Sequence, residues 1–139
     1  MLQLTRNWLQ TFVPLALSIG VRERLYGCLG AFIGLLCSEW GARHILAGFN
    51  PWFIAPMGAS AVLLFAVPTA PMAQPWPIVG GNLVSGLIGV ACAHWLGCGG
   101  LSAALAAALA IGAMFQLRCL HPPGGAVAVS AVLGGPAIG

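Results

Sequence analysis

Lysine and aspartate are absent from this 139-residue chain, and only seven residues carry a full charge: Arg6, Arg22, Glu23, Arg24, Glu39, Arg43 and Arg118. A soluble domain charges about a quarter of its residues, whereas here the figure is 5%, against 60% hydrophobic. So few charges cannot cover a water-facing surface, which excludes a soluble globular fold and leaves the bilayer as the solvent. A clustered basic face is also missing. The five arginines are scattered and the net charge is only +3, so nucleic acid is excluded as a partner. No C-x-x-C occurs, and the five cysteines (Cys28, Cys37, Cys92, Cys98, Cys119) stand singly in apolar runs. They read as small packing residues. His94 and Cys98 lie four apart, but two ligands without a third make no metal site. No metal and no cofactor are expected. With two acids, both remote in sequence from His121, a catalytic pair is also lacking, and the chain is not expected to be an enzyme.

What is present is a series of apolar segments. A membrane-spanning helix needs about 20 apolar residues. The first candidate follows Arg22-Glu23-Arg24 and runs from Leu25 to about Ala47; Asn50-Pro51-Trp52 then reads as a turn. A shorter segment covers Ile54 to Val67, and Pro68, Pro71, Pro75 and Pro77 mark a loop with Trp76 at its end. A third segment spans Ile78 to Leu96, a fourth Leu101 to Cys119 beyond the glycines at 97, 99 and 100, and a fifth begins after His121-Pro122-Pro123. Residues 1–21 are expected to form an interfacial or cytoplasmic segment, with Leu2, Leu9, Phe12 and Val13 opposing Arg6, Asn7 and Gln10. Residues 22–139 form the transmembrane domain. Arg6, Arg22 and Arg24 put the N-terminus on the cytoplasmic side, and four crossings return Arg118 there. Gly81, Ser85 and Gly89 recur every four residues, a stripe that lets helix backbones approach closely.

An internal repeat points to function. Residues 56–62 (Pro-Met-Gly-Ala-Ser-Ala-Val) and 123–129 (Pro-Gly-Gly-Ala-Val-Ala-Val) share the pattern P-x-G-A-x-A-V. Three segments separate the copies, so they enter the membrane from opposite faces, as in an inverted repeat. Proline suits the first helical position, and the small residues behind it leave first-turn amides uncovered at the positive end of the helix dipole. A helix starting inside the membrane in this way offers a site to an anion. The expected binding groups are Pro56, Gly58, Ala59, Ser60, Pro123, Gly124, Gly125 and Ala126, with the Ser60 hydroxyl as an added donor. Glu39, Arg43, Arg118 and His121 are the candidates for gating or coupling. Glu39 and Arg43 are spaced to pair with each other, Arg118 lies at a helix C-terminus, and histidine is the residue type that titrates near neutrality.

The run Leu117-Arg118-Cys119-Leu120-His121-Pro122-Pro123-Gly124-Gly125-Ala126 resembles the signature of the HPP family of integral membrane proteins. The stretch from Ala55 to Phe65 with Gln74-Pro75-Trp76 resembles a second block of that family, and Gly80-Gly81-Asn82 a third. The resemblance covers about residues 22 to 139. It implies an all-α, polytopic transmembrane bundle, of a kind found in bacteria and chloroplast envelopes, with some plant and cyanobacterial members implicated in nitrite transport. The family usually continues into a further helix, whereas this chain ends at Ala137-Ile138-Gly139, so a C-terminal truncation is expected.

Together these readings predict a polytopic bundle with an inverted repeat and broken helices. Its expected function is a carrier or channel-like transporter of a small inorganic anion, nitrite by the resemblance, in a bacterial inner membrane. The expected partners are the lipid bilayer and the anion, with a homo-oligomer allowed. The alternative is a non-transporting membrane scaffold or anchor, in which the repeat reflects duplication and packing alone.

Overall fold

The structure is a computed structural model that describes residues 19–46 and 51–134. The proposed interfacial helix of the first residues lies outside them. Five helices follow one another: α1 (Val21–Leu46), α2 (Pro51–Ala66), α3 (Pro75–Leu96), α4 (Gly100–Gln116) and α5 (Pro122–Leu133). A 3-10 turn over Pro71–Ala73 interrupts the loop between α2 and α3. Prolines open three helices where their missing amide costs nothing: Pro51 in α2, Pro75 in α3, and Pro122 with Pro123 in α5. Gly97 closes α3 at φ 78°, with its amide on the Ala93 carbonyl at 3.0 Å.

Helices α2 to α5 contain no charged residue. The charges sit toward helix ends: Arg22, Glu23 and Arg24 open α1, Glu39 and Arg43 lie in its last two turns, and Arg118 follows α4. Between these ends the outer surface is apolar, with Tyr26, Phe32, Trp40, Leu83, Leu87, Leu101 and Phe115 all exposed. A soluble monomer rarely carries a continuous apolar surface of this kind. In lipid it carries no penalty. Helices α1 and α3 are long and apolar enough to cross a membrane by length and composition.

Small residues decide the packing. On α4, Ala103, Ala106 and Ala110 form a buried edge that meets Cys92 of α3 and Ala128 and Val132 of α5, and Met114, one turn on, lies against Ser85. Ser102 Oγ donates to the Cys92 carbonyl at 3.2 Å. The stripe on α3 faces α5: a Cβ added at Gly89 would lie 2.6 Å from the Ala128 carbonyl oxygen, and one at Gly81 would lie 2.7 Å from the Cys119 carbonyl oxygen. The two helices touch backbone to backbone there, as close packing in lipid requires. Helix α1 is attached differently, with the Phe65 ring of α2 filling the notch left by Gly30 and Gly34.

Two boundaries differ from the sequence reading. Helix α2 begins at Pro51, so Asn50-Pro51-Trp52 does not end in a turn, and Pro56 lies inside the helix. Its ring is fully buried, and membrane helices tolerate an internal proline. Helix α4 ends at Gln116, three residues ahead of the expected Cys119. The other ends agree within a few residues.

Candidate functional site

The two copies of the repeat meet through His121. This residue caps α5, and its side chain is fully buried. Its Nδ1 lies 2.9 Å from the Met72 carbonyl oxygen, and its Nε2 lies 2.9 Å from Ser60 Oγ. A carbonyl only accepts, so Nδ1 carries the hydrogen and donates to it. In the neutral ring Nε2 then accepts from the Ser60 hydroxyl. Both ring nitrogens are satisfied, which a buried imidazole needs. The arrangement ties the start of α5 to the middle of α2 and to the loop before α3.

The depth of this group follows from helix arithmetic. Ser60 lies six residues before the end of α2, and Gly81, whose added Cβ would lie 2.7 Å from His121 Cβ, lies six residues into α3. At 1.5 Å per residue both put His121 about 9 Å inside the ends of the neighbouring helices. Helix α5 therefore starts within the bundle, inside the ends of its neighbours. The second copy of the repeat opens this helix. The copies also run in opposite directions, because α2 leads toward the loop at 67–74 and α5 leads away from that end.

The first copy behaves otherwise, and this corrects the amide cradle. Because α2 is continuous from Pro51, the amides of Gly58, Ala59 and Ser60 point at the carbonyls of Ile54, Ala55 and Pro56. They are not bare. In the second copy, two of the first-turn positions are prolines without an amide, and the Gly124 amide donates to the His121 carbonyl at 2.8 Å. The prolines that mark a helix start also remove the donors that an anion would use. The eight candidate residues divide accordingly. Pro56, Ser60, Pro123 and Gly124 are buried, Gly58 and Gly125 are half-buried, and Ala59 and Ala126 are exposed at the outer surface. Gly124 is packed to contact, since a Cβ there would lie 2.7 Å from Ser85 Oγ, whereas one at Gly58 or Gly125 would meet nothing within 4 Å.

Glu39 and Arg43 form the expected ion pair, toward the far end of α1 from the Arg118 end of the bundle. His44 Nδ1 is 2.7 Å from the Trp40 carbonyl oxygen one turn earlier. Cys98 lies beyond the α3 cap at Gly97, so it does not continue the helix face of His94. Among the described residues no group of three His, Cys, Asp or Glu could hold a metal ion.

One polar residue near His121 was not singled out as a site by the sequence reading. Asn82 follows Gly81, the glycine against His121, and precedes Gly86, whose nearest neighbour is Val127 of α5, by one turn. Its Oδ1 is the one buried side-chain polar atom without a hydrogen-bond partner among the described residues. A buried carbonyl oxygen without a donor is costly. The available signal was a lone amide in an otherwise apolar span.

The fold is thus that of a polytopic α-helical membrane protein with a polar centre where two antiparallel repeat copies cross. Residues 16–139 match the model of the HPP transmembrane region, and the chain belongs to that family. It is 38% identical over 110 residues, 76% of its length, to one transmembrane protein of Dictyostelium discoideum, and 39% identical over 111 residues to another. The matches cover 35% and 39% of those relatives, so the chain spans little more than a third of their length. No solved structure matches.

Proposed function

We propose that the chain is the membrane-embedded part of a carrier or channel-like transporter for a small inorganic anion, with nitrite the first candidate by the family resemblance. The binding groups in this reading are the side chains of the polar centre, Ser60, His121 and Asn82, and not a cradle of bare amides. The observation that carries it is the buried His121–Ser60 pair, with the partnerless Asn82 Oδ1 one residue beyond Gly81, the glycine packed on His121, in a bundle whose buried hydroxyls are used. An unsatisfied polar group near the middle of a membrane bundle marks a place for a polar solute. Rotation of the amide about χ2 turns its NH2 inward, so the same residue offers donors to an anion. The Ser60 hydroxyl is a second donor once it leaves Nε2. The topology accords with positive-inside placement, since Arg22, Arg24 and Arg118 all fall at one end of the bundle. In this reading that end is cytoplasmic, the membrane is a bacterial inner membrane, and the reaction is passage without bond-making.

The experiment is anion influx into proteoliposomes holding the purified chain, with nitrite, nitrate and chloride offered separately. Nitrite influx above protein-free vesicles supports the reading. No influx of any of the three removes it and leaves a membrane scaffold.

A further inference from the structure

A second feature lies at the Arg118 end. Helix α4 ends in a Schellman motif: the Cys119 amide donates to the Met114 carbonyl at 3.0 Å, and the Arg118 amide to the Phe115 carbonyl at 3.3 Å. The donor of the inner bond takes left-handed backbone, and glycine is its usual occupant. Here it is Arg118, at φ 53°. A side chain at such a position is strained, and strain retained in a fold directs attention to what the side chain does. Arg118 lines an open cavity of about 340 Å³ whose other walls include Pro71, Met72, Pro77, Phe115 and Leu120. These walls are apolar, and the exposed Met72 thioether adapts readily to a flexible chain. Both carboxylates of the described residues are engaged on α1, Glu23 by the Gly20 amide and Glu39 by Arg43. Trp76 marks the depth, since its exposed ring donates from Nε1 to the Leu117 carbonyl at 3.2 Å, one residue before Arg118. Tryptophan in such a position lies at the headgroup level.

The geometry points to a binding site for an anionic phospholipid, with its phosphate on the Arg118 guanidinium and the first part of an acyl chain against Met72, Pro77 and Phe115. A small hydrated anion would exchange its water for methylene and thioether groups in this cavity, whereas an amphiphile satisfies both the cation and the walls. The volume falls in the range of small-ligand pockets. The inference is independent of the transport reading.

The test is native mass spectrometry of the full chain in detergent, with phosphatidylglycerol, phosphatidylcholine and inorganic phosphate offered as probes. The wild type is expected to retain phosphatidylglycerol about fivefold over phosphatidylcholine. Arg118→Gly fits the left-handed position and so keeps the fold while removing the cation; the preference should fall to parity. Arg118→Gln, which is neutral and of similar length, is expected to behave likewise. An unchanged preference in the two variants overturns the site. Displacement of phosphatidylglycerol by equimolar inorganic phosphate would also overturn it, because the acyl chain would then contribute nothing.

Discussion

The imidazole of His121 and the hydroxyl of Ser60 stand 2.9 Å apart across 61 positions of sequence. That bond joins the residue before the second repeat copy to the interior of the first. Ser60→Ala should leave Nε2 buried and unpaired, and lower stability by about 1–3 kcal/mol. His121→Ala should cost more, because the Met72 carbonyl also loses its donor. In a double-mutant cycle read by thermal unfolding in detergent, the two changes should couple by about 1 kcal/mol. Strict additivity would mean that the pair does not exist in the membrane.

The glycines of α2, α3 and α5 separate into two classes. Alanine at Gly81, Gly89 or Gly124 would place a Cβ within 2.7 Å of neighbouring atoms, including carbonyl oxygens at the first two. Each change should destabilise the bundle by about 1–3 kcal/mol. Alanine at Gly58 or Gly125 meets open space and should be neutral, or stabilising by up to about 1 kcal/mol through helix propensity. The same two variants test the correction of the amide cradle, since nitrite influx should be unaltered in both.

Arg118 supplies a prediction of opposite sign. Glycine relieves the left-handed backbone strain, so Arg118→Gly should raise stability by about 1 kcal/mol while removing a charge from the surface. Thermal unfolding checks it. A loss of stability would mean that the guanidinium contributes more than its backbone conformation costs.

Much of this fold was legible in the sequence because lipid simplifies the rules. Charge depletion, apolar segment length and proline or glycine breaks locate five helices, and the small-residue stripe at Gly81, Ser85 and Gly89 identifies a packing face. The errors arise where one residue type serves two roles. Pro56 reads as a helix start, yet it sits inside α2, because a membrane bundle accommodates an internal proline and Pro51 takes the opening position. The end of α4 was hidden because arginine occupies the position where glycine would have announced it. The repeat indicated that residues 56–62 and 123–129 are alike. It could not show that Ser60 faces His121, since contact between distant segments is settled by packing and not by local pattern. His121 appeared among the coupling candidates, apart from the binding set, although its ring is what holds the copies together. Met72 contributes a backbone carbonyl, which no side-chain pattern reveals.

The most direct measurement is nitrite influx in proteoliposomes containing Asn82→Leu, alongside its thermal unfolding. Removing a buried carbonyl oxygen that has no partner should leave stability unchanged or higher. If Asn82 serves the passing anion, influx should fall by about tenfold or more, the worth of one hydrogen bond to a charged group. A folded Asn82→Leu protein that carries nitrite at the wild-type rate would contradict the assignment of the polar centre to transport.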